Sequence, residues 1–228
     1  MNVVVLVSGG GTNLQALIDA EKRGELGGGK ITAVISSKPD VYALTRAAEN
    51  GIKGIVLERR QYADVHAYSE AMKQTLDAEK ADLVVYAGFL TILDDTVCNA
   101  YHYKMINVHP SLIPSFCGKG FYGLRVHEEA LRRGVKLTGA TVHFVTSECD
   151  GGPIIAQRAV EVMNTDTPEA LQKRVMEQAE WVILPLAAKL FCEGKISVID
   201  GKAVVRTTTY KSCPEAALSD FSSECTEI

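Results

Sequence analysis

The stretch Ile106-Asn107-Val108-His109-Pro110-Ser111 places an amide and an imidazole two residues apart at the end of an apolar run. Met105 to Val108 reads as the close of a buried strand, in which residues i and i+2 point to one face. Asn107 and His109 therefore project together. An amide can donate to an oxygen that becomes negative, and an imidazole can hold charge or carry a proton. A carboxylate completes the set: Asp150 lies in Ser147-Glu148-Cys149-Asp150-Gly151-Gly152-Pro153, where glycines shape the backbone for access. A nearby carboxylate favours the protonated imidazole. Together Asn107, His109 and Asp150 suit acyl transfer through a tetrahedral intermediate. There is no G-x-S-x-G elbow and no persuasive cysteine nucleophile, so direct transfer to an amine is expected rather than an acyl-enzyme. Taken singly, each has a plainer reading: a strand-end histidine bonded to backbone, a turn-forming asparagine, and an aspartate in a turn.

A second candidate is Ser8-Gly9-Gly10-Gly11-Thr12-Asn13, between an apolar run and a helical pattern. Glycines let backbone amides approach a ligand, and a helix N-terminus favours an anion. Gly11, Thr12 and Asn13 are thus expected to hold a phosphate. The plainer reading is a tight turn with Thr12 or Asn13 as an N-cap. The loop is not a dinucleotide fingerprint: Leu14 stands where the third glycine belongs, and the next strand ends in Ser36-Ser37 instead of an acidic residue. Nor is it a Walker loop. A phosphate monoester on a small substrate fits better. Of the remaining candidates, His143 reads as structural, His127 as a surface or capping residue, and Met176 and Trp181 as core.

The elements that must position these groups alternate. Asn2–Ser8, Lys30–Ser37, Gly54–Glu58, Asp82–Gly88 and Met105–His109 read as strands. Asn13–Gly24, Tyr42–Gly51, Asp64–Ala81 and Val126–Gly134 read as helices. Leu137–Thr146 and Gly152–Val162 read as an antiparallel pair. Thr167 is a plausible cap for one long helix to Gly194, with Glu169 and Glu177 exposed. Ile196–Val205 reads as a hairpin turning at Asp200-Gly201. This order predicts an α/β fold with a mostly parallel central sheet flanked by helices. Ligands in such folds bind at the carboxyl ends of strands, which puts Ser8–Asn13, Gly88–Leu93 and Asn107–His109 on one rim.

Composition bounds the function. The 228 residues are 46% hydrophobic with a formal charge of −4, which gives no basic footprint for nucleic acid. The first apolar run is of strand length, too short for a signal peptide or a membrane span, so a cytoplasmic protein without membrane contact is expected. Cys98, Cys117, Cys149, Cys192, Cys213 and Cys225 are scattered, with no C-x-x-C pair, as free thiols would be. No ligand cluster calls for a metal.

Several segments in order, Val4–Ala20, Val84–Leu93, Ile106–Pro114, Gly139–Val145, Asp150–Ile155 and Ala179–Pro185, resemble the folate-dependent phosphoribosylglycinamide formyltransferases. The resemblance runs from Met1 to about Val205. It implies a Rossmann-like formyltransferase fold over 1–206, with 207–228 as a loosely held tail. It also implies transfer of formyl from 10-formyltetrahydrofolate, a co-substrate, to the amine of glycinamide ribonucleotide, with no metal, by a monomer or homodimer. On this likeness Asn107, His109 and Asp150 are catalytic, with Asp150 keeping His109 protonated. Gly11, Thr12, Asn13 and Glu180 meet the ribonucleotide. Leu90, Thr91, Ile92, Leu93, Asn107, Val145 and Thr146 meet the folate, largely through backbone.

The chain departs from the family pattern at Thr91 and at Asp64-Val65-His66, where many members carry basic residues. Either Lys119 or Arg125 in the long segment 115–127 takes over the folate tail, or that segment is a surface loop, the favoured reading. Related activities are formyltetrahydrofolate hydrolysis and formyl transfer to sugar amines or initiator tRNA. Those proteins usually carry an extra domain that is not expected here. A phosphate sensor without chemistry would not need Asn107, His109 and Asp150 together.

Overall fold

A computed structural model of the chain describes residues 1–206, so the expected loose tail at 207–228 lies outside the described residues. The strands are β1 (Asn2–Val7), β2 (Lys30–Ser36), β3 (Lys53–Val56), β4 (Leu83–Tyr86), β5 (Met105–His109), β6 (Leu137–Phe144) and β7 (Ile154–Glu161). They form one sheet in the order β3-β2-β1-β4-β5-β6-β7. The strands from β3 to β5 pair in parallel, and β6 and β7 continue the sheet antiparallel. The helices are α1 (Thr12–Lys22), α2 (Tyr42–Glu49), α3 (Val65–Ala78), α4 (Asp95–Ala100), α5 (Leu124–Arg133), α6 (Pro168–Val175) and α7 (Trp181–Cys192). A separate hairpin, β8 (Ile196–Ile199) and β9 (Lys202–Val205), turns at Asp200 and Gly201, both at positive φ.

The period-2 geometry of β1 divides the core. Val3, Val5 and Val7 pack on one side with Leu14, Leu17, Leu171, Val175 and Ile183. Val4 and Leu6 pack on the other with Tyr68, Met72, Leu76 and Val97. The five side chains from Val3 to Val7 are fully buried, which is why the run is continuously apolar; each contributes about 1.5–3 kcal/mol on burial. The strand order reverses between β1 and β4, so the loops that follow them part there and open a crevice. The Leu90 N–H donates to Ser8 Oγ across this crevice at 3.1 Å, and Ser8 Oγ also lies 2.7 Å from Ser37 Oγ. The predicted rim forms as expected.

Two elements differ from expectation. The short helix α4 falls in a segment without helical periodicity; Asp94 caps it by accepting from the Thr96 N–H at 3.0 Å. The long C-terminal helix is not continuous: a π-turn over Met176–Glu180 separates α6 from α7. Thr167 does cap α6, accepting from the Ala170 N–H at 3.2 Å.

Candidate functional site

Register explains how the groups meet. Tyr86 of β4 pairs with Asn107, Asn107 with His143, and His109 with Thr141. Asn107 and His109 thus share a face at the end of β5, and His143 is the direct cross-strand neighbour of Asn107. The Asp150 loop follows β6 and turns back over this row, with Asp150 itself at φ 56°, a conformation that aspartate tolerates better than most residues.

Asp150 ties the set together. Its Oδ1 is 3.5 Å from Asn107 Nδ2 and 3.6 Å from His143 Nε2. Its Oδ2 is 3.5 Å from His109 Nδ1 and accepts from the Gly118 N–H at 2.8 Å. Burial works against the charged carboxylate, but the His143 ring, the His109 ring and the Gly118 N–H outweigh it and hold Asp150 below its ordinary range.

The tautomers follow from the acceptors. His109 Nε2 lies 2.8 Å from the Phe116 carbonyl oxygen, which can only accept, so Nε2 carries the proton. His143 Nδ1 likewise donates to the Phe144 carbonyl at 2.8 Å, and its Nε2 lies 3.2 Å from Asn107 Nδ2. His109 is buried, and burial pulls its pKa down further than Asp150 and the Phe116 carbonyl raise it. The resting imidazole is therefore neutral at neutral pH, which corrects the expectation that Asp150 keeps it protonated. A second correction concerns His143: it is not merely structural but touches both Asn107 and Asp150. The 115–127 segment is also more than a surface loop, since Phe116 and Gly118 contact His109 and Asp150 directly. Lys119 and Arg125 are exposed.

His127 also departs from expectation. It is fully buried on α5, and neither ring nitrogen has a partner. Burial, with a smaller contribution from His109, pushes its pKa down to about 4.

At the glycine loop the N-cap of α1 is Gly11, at φ 71°, and no side chain caps the first turn. Thr12 and Asn13 are inside the helix, so the plain N-cap reading fails. The first N–H groups of a helix have no intrahelical partner, and exposed Gly9 and Gly10 leave them approachable. A Cβ on Gly11 would sit 2.7 Å from Ala43 Cβ, so only glycine lets α2 pack here. The neighbouring carbonyls are occupied: Gly9 O accepts from the Ala43 N–H at 3.1 Å, and Gly10 O from Arg46 Nε at 3.0 Å.

Glu180 closes this end of the site. The π-turn presents it inward, and Asn13 Nδ2 donates to its Oε2 at 2.7 Å. Burial pushes the Glu180 pKa up to about 7, against the pull of that hydrogen bond. Asn13 Oδ1 is buried without a partner. The Thr12 hydroxyl points at Met176 Sδ, 3.8 Å away, so Met176 borders the loop as well as the core.

The 90–93 strip lies across the crevice. Leu90 and Ile92 are 57% and 65% exposed and Leu93 is buried, while Thr91, Val145 and Thr146 are half-buried. Two of the backbone donors in this region are committed, Leu90 N–H to Ser8 and Val145 N–H to the Met105 carbonyl at 2.9 Å. Where the pattern lacks a basic residue, His66 Nδ1 pairs with Asp94 Oδ2 at 2.9 Å. Among the described residues no cluster of three or more His, Cys, Asp or Glu side chains is placed to hold a metal, and no helix is long and apolar enough to cross a membrane.

Comparison with known proteins places the chain among relatives. The formyl transferase family profile matches residues 1–187. Phosphoribosylglycinamide formyltransferase of Escherichia coli (strain K12) is 38% identical over 89% of this chain and 92% of its own length. The crystal structure of glycinamide ribonucleotide transformylase 1 from Symbiobacterium toebii superposes with a TM-score of 0.84 at 37% identity, over 90% of this chain and 93% of that one. A formyltetrahydrofolate deformylase from Pseudomonas syringae superposes at 0.79 with 29% identity, over 90% of this chain but 65% of that one. The chain therefore belongs to the formyl transferase family, on the branch of the phosphoribosylglycinamide formyltransferases.

Proposed function

We propose that this chain, through a formyltransferase domain over residues 1–206, moves a formyl group from 10-formyltetrahydrofolate to the amine of 5'-phosphoribosylglycinamide. The observation that carries the reading is that Asp150 lies 3.5 Å from both Asn107 and His109, on the same strand-end rim as an uncapped helix N-terminus. The first-turn amides of Gly11, Thr12 and Asn13 take the phosphate. Glu180 and the vacant acceptor Asn13 Oδ1 face the donor groups of the same substrate. The folate lies along Leu90, Thr91, Ile92 and Leu93, with Val145 and Thr146 opposite and Asn107 at the formyl end. The protein is cytoplasmic and acts on small molecules as a monomer or homodimer.

The reaction begins with the substrate amine attacking the formyl carbon, which forms the new C–N bond and moves the carbonyl electron pair onto oxygen. Asn107 Nδ2 donates to that oxyanion. The nitrogen's surplus proton passes to neutral His109, directly or through Asp150. The imidazolium so formed stands beside the oxyanion, and its Nδ1–H finds Asp150 Oδ2 already in place. Collapse breaks the bond to the folate nitrogen, which leaves with the electron pair and receives the proton. The Phe116 carbonyl and the Gly118 N–H must release His109 and Asp150 for this to happen.

The test follows deformylated folate with and without glycinamide ribonucleotide. Release that depends on the ribonucleotide, with formyl recovered on its amine, supports the transferase; amine-independent release would instead show a hydrolase. Asn107→Ala is expected to lower turnover ~100–1,000-fold, and His109→Ala or Asp150→Asn ~100–10,000-fold, each with folding retained. Near-normal turnover in His109→Ala would overturn the assignment.

A further inference from the structure

We propose that Cys117 and Cys149 form a dithiol modification site that a small-molecule disulfide, such as glutathione disulfide, converts to an intramolecular disulfide joining the 110–123 loop to the Asp150 loop. Both cysteines flank one carboxylate oxygen. Cys149 Sγ lies 3.8 Å from Asp150 Oδ2. The Gly118 N–H donates to that same oxygen at 2.8 Å, and the carbonyl carbon of Cys117 is only ~1.33 Å from the Gly118 nitrogen across the peptide bond. Charge on the Cys117 thiol would be felt at Cys149.

Access favours this pair. Cys149 is exposed and Cys117 half-exposed, whereas Cys98 is buried. The Cys117 thiol is held only by a contact to the Pro114 carbonyl at 3.3 Å. A disulfide needs its Cα atoms roughly 4.4–6.8 Å apart, and Gly118, Gly120 and Gly123, all at positive φ, give the loop the freedom to adjust. Burial and then the charge of Asp150 raise both thiols above their ordinary range, so the exchange is slow at neutral pH.

The chemistry balances in two exchanges. One cysteine thiolate attacks a sulfur of glutathione disulfide; that S–S bond breaks and one glutathione leaves. The second cysteine thiolate attacks the mixed disulfide, the Cys117–Cys149 bond forms, and the second glutathione leaves. Two protein thiols are oxidised, one disulfide is reduced, and the two protons end on the released glutathiones. The product pins the Phe116 carbonyl on His109 and the Gly118 N–H on Asp150, which shuts the candidate catalytic groups away from substrate. The closure part rests on the proposed formyl transfer; the linkage itself does not.

The full chain is reduced, equilibrated with glutathione disulfide, alkylated and digested. The expected result is a peptide pair joined through Cys117 and Cys149, lighter by two hydrogens than the reduced pair. Glutathione on either cysteine without linkage, or pairing of either with another cysteine, would overturn the site. In the transfer assay the oxidised chain should lose most of its turnover and recover it with dithiothreitol, while Cys149→Ser should lose none under the same treatment. Equal loss in Cys149→Ser would overturn the closure. A fully reduced chain with no transfer at all would refute the proposed function and leave the peptide map to decide the dithiol site.

Discussion

Glu180→Gln isolates one buried carboxyl whose cost can be worked out. Burial moves its pKa from an ordinary 4.5 to about 7. The difference of about 2.5 units, at 1.36 kcal/mol each, is about 3 kcal/mol. Between these two values the folded chain holds a proton that the unfolded chain has released, so this group makes the protein lose stability as pH rises from about 4.5 to about 7. Above that range the full cost of about 3 kcal/mol applies, a large fraction of a typical stability of ~5–15 kcal/mol. Glutamine keeps an oxygen for Asn13 Nδ2 but does not titrate. Urea unfolding of both proteins from pH 4.5 to 8 should show the variant gaining about 3 kcal/mol on the parent as pH rises, with any constant offset reporting packing alone. Two curves that stay parallel across this window would refute the argument that Glu180 is held protonated by its surroundings.

His127 supplies the opposite slope. Its pKa is pushed from 6.5 to about 4, so it contributes about 3 kcal/mol that is present above about pH 6.5 and lost as pH falls toward 4; relative to the parent, His127→Met should gain about 3 kcal/mol as pH falls through that range in the same unfolding series. Because the two groups oppose each other over their shared range, the parent should look nearly flat there, and each single variant should unmask the other group. Gly11→Ala forces a side chain into a left-handed conformation and against Ala43; a loss of ~1–3 kcal/mol is expected, together with a raised KM for the phosphorylated substrate. Thr167→Ala removes the α6 cap and should cost ~1 kcal/mol, seen by calorimetry as a Tm lower by roughly 2–4 °C.

Much of the fold was legible because its strands are buried on both faces. Runs such as Val3–Val7 can hardly be anything but interior strands of a covered sheet, and the helices between them carry clear apolar stripes and glycine stops. Helix α4 was missed because six residues span too few turns for a period to emerge, and its capping signal, Asp94, looks like any loop aspartate. The π-turn was missed because its residues are ordinary helix formers; only the packing on both sides of it demands the extra residue. At the site, Asn107, His109 and Asp150 were legible from residue type and local turn chemistry. His143 was not, because its contact with Asn107 depends on the register between β5 and β6, which no short motif encodes. His127 was misjudged because a helix-opening histidine beside glutamates reads as surface, whereas the fold turns that face of α5 inward. The protonation of His109 was misjudged because a nearby carboxylate is visible in a sequence and the depth of burial is not.

The π-turn has a consequence for how this chain can vary. An α-helix advances about 100° per residue, so the buried positions Leu171, Val175, Ala179, Ile183 and Ala187, spaced four apart, would drift about 160° around a regular helix. One residue absorbed in the turn reduces that drift to about 60°, which keeps both halves seated on the sheet while Glu180 faces Asn13. The feature is therefore a matter of counting, not of residue identity. A lineage that lost a single residue between Met176 and Ala179 would gain a tidier helix and swing its acidic group off the site in the same event. No substitution elsewhere in the helix would bring it back; only a residue inserted again nearby would.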